Sequence, residues 1–256
     1  MHCLFITLLF PLFAFGTIIE AGRFKEVVDH VTEDTWLILD IDNTILAVSQ
    51  MLGSEEWFHH LRDKYSEIMP RDQALQKALS EWEAVRHFTK MELIEPEIAD
   101  LIGQLQREGC CVMGLTAQNM TLMNRTYHQL KGEGVDLSLA APSLKDCFFE
   151  MEGHGVFYRK GICFTSGKAK GEAFFRFCEE IKSFPKRIVF VDDKRGNVTD
   201  LKAASEKRGI DFVGLRYGYL DEKREMFSPK IAEIQFGAFQ EILSDGEASL
   251  KLSENL

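Results

Sequence analysis

The sequence predicts an α/β fold, a doubly wound parallel sheet with a helical cap inserted after its first core strand. Three observations lead there. Short apolar runs recur at Trp36–Ile41, Cys110–Leu115 and Arg187–Val191, as in strands buried on both faces. Amphipathic stretches of helical period alternate with them, the pattern of a sheet wound with helices. The stretch from Ala47 to Lys90 is too long and too charged for a simple crossover.

The elements follow in order. Cys3–Phe15 is apolar and uncharged, and Ala14-Phe15-Gly16 spaces small residues as a signal peptidase requires. Residues 1–16 therefore predict an export signal cleaved before Thr17, with a periplasmic or secreted product. An uncleaved membrane anchor, and a mis-called start or buried helix, are the alternatives, and membrane contact is expected only through an uncleaved segment. Ala21–Asp34 reads as a lead-in helix, with Phe24, Val27, Val28 and Val31 at helical spacing. The cap, residues 47–90, reads as two or more helices, among them Gly53–Tyr65 and Arg71–His87, with a break at Pro70. The core, residues 17–46 and 91–243, resumes with a helix over Glu95–Glu108 that Gly109 closes. Leu122–Leu130 is amphipathic again. Phe148–Met151 and Val156–Thr165 predict a hairpin across Glu152-Gly153-His154-Gly155. A helix opens near Lys170, another covers Val198–Lys207, a strand runs over Asp211–Leu215, and Lys230–Leu243 predicts a last helix before a polar tail, 244–256.

A formal net charge of −10 argues against a nucleic-acid surface and leaves room for an anionic substrate only where a cation reverses the field. Cys110, Cys111, Cys147, Cys163 and Cys178 follow the export segment, and none has zinc spacing. Cys110, Cys111 and Cys178 fall in apolar patterns. The pattern leaves open one bridge, between Cys147 and Cys163, if the compartment oxidises.

Three strand ends carry chemistry: Asp40-x-Asp42-x-Thr44, Thr116, and Asp192-Asp193. Ligands bind at the carboxyl ends of strands in open α/β sheets. If extended geometry continues past Leu39, Asp40, Asp42 and Thr44 share one side. Like charges in one small site need a proton or a cation between them. Alone, each signal also reads as a solvated turn. Together, in this order and with Lys170 opening a helix, they are far more specific.

The stretches LILDIDNTI, VMGLTAQN, SGKAKGEAFFRF and IVFVDDKRGN, spanning Leu37 to Asn197, resemble the haloacid dehalogenase (HAD) superfamily in its phosphatase branch. The chain looks most like the exported bacterial members with a helical cap. The resemblance implies a HAD-like Rossmannoid core and a Mg²⁺-dependent phosphomonoester hydrolase. Asp40 would be the nucleophile, forming an aspartyl-phosphate, and Asp42 the acid and then the base. Mg²⁺ would be held by Asp40, the backbone carbonyl of Asp42 and Asp192, with Asp193 as a direct or water-mediated ligand. Thr116 would donate to a phosphoryl oxygen, and Lys170 would offset charge, with Lys168 the competing assignment. Thr44 supports the first loop. Asn197 either orients the acidic loop or caps the following helix. The partner implied is a small phosphorylated substrate. Two other readings remain: a non-catalytic exported binding or effector protein on the same fold, and a phosphotransferase.

Overall fold

The computed structural model describes residues 16–237. The export segment up to residue 15, the distal end of the helix expected over Lys230–Leu243, and the polar tail lie outside the described residues. The chain divides into two compact units, one built from the chain up to Ser49 with Lys90–Lys223, the other from Gln50–Thr89 with the chain from Arg224.

The first unit begins with β1 (Thr17–Ala21), a short 3₁₀ helix (Phe24–His30), β2 (Thr35–Leu39) and β3 (Leu46–Val48). The second unit contributes α1 (Glu55–Ser66) and α2 (Arg71–Arg86). The chain then runs through β4 (Met91–Leu93), α3 (Ile98–Arg107), β5 (Cys111–Thr116), α4 (Met123–Gly132), β6 (Cys147–Met151), β7 (His154–Arg159), β8 (Ile162–Phe164), α5 (Lys170–Ile181), β9 (Arg187–Asp192), α6 (Arg195–Glu206) and β10 (Asp211–Tyr217). It ends in α7 (Asp221–Glu225) and α8 (Pro229–Gly237).

The main sheet has eight strands in the order β1-β10-β9-β2-β5-β8-β7-β6. It is parallel from β1 through β8, and β7 and β6 extend it antiparallel. This is the expected α/β architecture, mostly parallel and flanked by helices. Leu37 and Leu39 of β2 pack on one face with Ile98, Ile102 and Leu105 of α3, and Ile38 packs on the other with Phe174 and Phe177 of α5 and Leu201 of α6. Strand side chains alternate between faces, so one apolar run serves both layers. From β2 the chain order departs to β5 on one side and β9 on the other. That is a switch point, where a crevice opens at the strands' carboxyl ends.

Three expectations are corrected. Ala21–Asp34 is not one α-helix: Ala21 ends β1, an edge strand paired with β10, and only a seven-residue 3₁₀ turn follows. The run Val156–Thr165 is not one strand either. It breaks at Lys160-Gly161, both at positive φ, into β7 and β8. A two-residue turn of this kind needs positive φ at both positions, and at Gly161 a Cβ would collide with the backbone of Leu137. Finally, Cys147 and Cys163 both lie opposite Tyr158, on the strands either side of β7. Two strand spacings, about 9–10 Å, exceed the reach of a disulfide. All five described cysteines are free thiols.

The second unit packs on its own core of Trp57, Leu61, Ala78, Val85 and Ala232. Ser54 caps α1 by accepting from the Trp57 N–H at 3.1 Å. Residues 224–237, placed with the core by sequence, fall in this unit.

Candidate active site

The site is assembled where β2, β5 and β9 end. The Asp40 N–H donates to the Val191 carbonyl at 2.9 Å, so the sheet ladder reaches one residue beyond β2. Then the chain turns. The Ile41 carbonyl accepts from the N–H groups of Ile45 and Leu46, each at 3.0 Å, and Asn43 sits at φ 59°. Asn tolerates this left-handed region better than most residues. Extended geometry therefore does not continue through Thr44, and the alternation argument does not apply beyond Asp40. Thr44 is fully buried, and among the described residues its Oγ1 has no hydrogen-bond partner. The Asp42 carboxylate accepts from Gln118 Nε2 at 2.7 Å.

The carboxylate group that converges is Asp40, Asp192 and Asp193, with one oxygen of each within 4.8 Å of the others and all three buried. Lys170, the first residue of α5, lies among them. Its Nζ is 2.7 Å from Asp40 Oδ1 and 2.6 Å from Asp192 Oδ2. Gly171 accounts for this placement. A Cβ there would lie 2.9 Å from both the Ala204 Cβ and the Asp200 carbonyl oxygen, so only glycine lets α5 approach α6 so closely. The Gly171 N–H also donates to Asp200 Oδ2 at 2.7 Å, anchoring the helix start. Lys168 points elsewhere and pairs with Glu152 at 2.9 Å.

Asp192 is held from several directions. Its Oδ1 accepts from the Lys194 N–H at 2.8 Å, and Asn197 Nδ2 lies 3.0 Å from each of its oxygens. Asn197 lies inside α6, two residues past its start, so it is not the helix cap, and its side chain is spent on Asp192. On β5, the buried Thr116 Oγ1 accepts from the Gln118 N–H at 3.2 Å, leaving its own proton to donate.

Among the described residues, three buried carboxylates gather within reach of the buried Lys170 ammonium, which touches two of them. Burial pushes the Asp40 carboxyl well above its ordinary value, and Asp192 and Asp193 push it the same way against the opposing pull of Lys170. Burial alone would lower Lys170, but Asp192 and Asp40 outweigh it and raise its pKa. The donor set is all carboxylate oxygen, without thiol or imidazole. Hard oxygen donors carrying excess negative charge suit a hard dication such as Mg²⁺.

A family model described as "Protein of unknown function (DUF2608)" matches residues 20–249. The chain belongs to the DUF2608 family. A relative from Chlamydia muridarum, named "Putative outer membrane protein", is 25% identical over 243 residues, 93% of this chain and 91% of its own. A Chlamydia pneumoniae protein with the same opening name is 25% identical over 260 residues, 99% of this chain and 98% of its own. Among solved structures, a haloacid dehalogenase-like family hydrolase from Streptococcus pneumoniae aligns at TM-score 0.45 and 11% identity, over 72% of this chain and 95% of its own. Among the described residues of this DUF2608 protein, no helix is long and apolar enough to cross a membrane.

Sequence reasoning missed Gln118, Asp200 and the packing role of Gly171. For Gln118 the signal was a polar residue two positions after Thr116, at the end of an apolar strand. For Gly171 it was the glycine directly following the lysine.

Proposed function

We propose that this DUF2608 protein is a Mg²⁺-dependent phosphomonoester hydrolase of the HAD type, working through an aspartyl-phosphate. One observation carries the reading: a buried lysine bridges Asp40 and Asp192 beside Asp193, at the carboxyl ends of neighbouring parallel strands. A purely structural role gives no reason to gather three carboxylates in one buried cluster, because taking an ion out of water costs several kcal/mol that its pairing has to repay.

Asp40 is the nucleophile. Its carboxylate oxygen attacks phosphorus, the bond from phosphorus to the ester oxygen breaks, and the leaving oxygen takes a proton from Asp42. Water then attacks the aspartyl-phosphate, Asp42 takes its proton, and phosphate leaves as the Asp40 carboxylate re-forms. Lys170 holds Asp40 in place and offsets charge on the transferring group, while Thr116 donates to one of its oxygens. Mg²⁺, when bound by Asp40, Asp192, Asp193 and the Asp42 carbonyl, supplies neutralisation of phosphoryl charge. Asn197 keeps Asp192 oriented as a ligand. Residues 1–16 act as the export signal, a reading supported by their apolar pattern and by the names of the relatives.

The test is phosphate release from a panel of phosphomonoesters, with Mg²⁺ and with EDTA, beside Asp40→Asn. Release that requires both Mg²⁺ and Asp40 is expected. Turnover that survives Asp40→Asn would refute the nucleophile, and a folded, Mg²⁺-binding protein without release would favour a binding role. Added alcohols separate hydrolysis from transfer, because a phosphotransferase would return a new phosphate ester.

A further inference from the structure

We propose that Gln118 is the positioning residue that aims Asp42 at the leaving oxygen. The inference rests on the phosphatase reading above. Gln118 is 6% exposed and is fixed at every polar atom. Its backbone N–H donates to Thr116 Oγ1 at 3.2 Å, and its backbone carbonyl accepts from the Ser166 N–H at 3.1 Å. Its side-chain Nε2 donates to Asp42 Oδ2 at 2.7 Å, and its Oε1 accepts from the Thr126 hydroxyl at 2.6 Å.

The last contact decides which edge of the amide faces Asp42. A flipped amide would turn Oε1 toward the Asp42 carboxylate, setting acceptor against acceptor. Thr126, 2% exposed on α4, gives its proton to Oε1 and stabilises the orientation that presents the donor edge. Asp42 stands past the end of β2, at the opening of the turn and in an isolated bridge with Leu46, so strand alternation does not set the direction of its side chain. Gln118 supplies that direction from β5's loop, the segment that also carries Thr116. The residue that contacts the phosphoryl oxygen and the residue that aims the acid are thus two positions apart on one rigid turn. A proton donor misplaced by about 1 Å loses on the order of 100-fold in rate.

Positioning of an acid has a signature that general loosening lacks. An alkyl phosphate expels an alkoxide that must be protonated as it leaves. 4-Nitrophenyl phosphate expels a stable phenolate that needs no proton. Because kcat/KM reports only steps through formation of the aspartyl-phosphate, it isolates the acid role from the later base role.

The experiment measures kcat/KM of the full protein with Mg²⁺ on glycerol phosphate and on 4-nitrophenyl phosphate. For Gln118→Ala, glycerol phosphate is expected to fall roughly 10- to 100-fold and the aryl ester by less than about threefold. Thr126→Val, which removes the anchor of the amide but keeps its volume, should show the same selectivity to a smaller degree. If Gln118→Ala fails to fold, Thr126→Val and the near-isosteric Gln118→Glu carry the comparison. Equal losses on both esters, or no loss on glycerol phosphate, overturn the assignment. A wild-type protein inactive on both esters counts against the phosphatase reading and takes this assignment with it.

Discussion

Replacing Asp40 by Asn should raise the melting temperature of the metal-free protein. At an effective dielectric of about 20, the attraction between Asp40 and Lys170 at 2.7 Å is worth about 6 kcal/mol. Asp192 and Asp193 lie within 4.8 Å of Asp40, and each repels it by about 3 to 4 kcal/mol. Attraction and repulsion nearly cancel, so the burial of the Asp40 charge decides the sign, and burial is the leading cause of its raised pKa. Asparagine removes the charge and keeps an oxygen to accept from Lys170, which retains Asp192. A net gain of about 1–3 kcal/mol corresponds to roughly 2–10 °C for a chain of this size.

The assay is thermal unfolding in EDTA and in excess Mg²⁺. In EDTA the variant should melt above the wild type. With Mg²⁺ at about 100 times its Kd the wild type should gain about 2.7 kcal/mol, and the variant, lacking a ligand, much less. The pH dependence has a definite sign. Asp40 has a folded-state pKa above its unfolded value, so its contribution is complete below the unfolded value and is lost as pH rises through the folded one. Asparagine mimics the protonated form. The advantage of the variant should therefore vanish in acid and grow as pH climbs through the raised pKa. A variant that melts well below the wild type in EDTA would refute the reasoning. It would mean that the pair with Lys170 outweighs burial and repulsion, and that the cluster is a structural ion pair.

Lys170→Met should destabilise the metal-free protein by about 3–5 kcal/mol, because two buried carboxylates lose their cation, whereas Lys168→Ala should leave the melting curve in place; chemical denaturation distinguishes them. Gly171→Ala should cost about 1–3 kcal/mol through overpacking against Ala204 and Asp200, and should lower kcat by shifting Lys170, as melting and turnover on the same sample would show. Asn197→Ala should weaken Mg²⁺ binding roughly 10- to 100-fold with the fold intact, as read by calorimetric titration, since Asp192 loses the donor that orients it. Intact mass with thiol alkylation should be the same before and after reduction, because Cys147 and Cys163 stand two strands apart; a mass shift marking a bridge between them would contradict the sheet register.

The strands that position the site were legible because burial on both faces leaves an unbroken apolar run, and β2, β5 and β9 each show one. β1 was not, because Thr17–Ala21 follows directly on the apolar export segment and its partner, β10, lies nearly two hundred residues away in sequence. The residue types of the site were legible too, since strand ends concentrate ligands and only a few polar residues stand there. Their mutual geometry was not. Alternation places side chains only while the backbone stays extended, and the Ile41 carbonyl ends that extension one residue after Asp40 by capturing N–H groups from across the turn. From there, which carboxylate joins the cluster depends on contacts between segments distant in sequence. Asp42 goes to Gln118 on the loop after β5, and Asp40 goes to Lys170 because a glycine lets two helices close on each other. A sequence exposes what one strand dictates about itself. The aim of a carboxylate and the reach of a lysine are properties of pairs of segments, and they become visible only once the sheet has set those segments side by side.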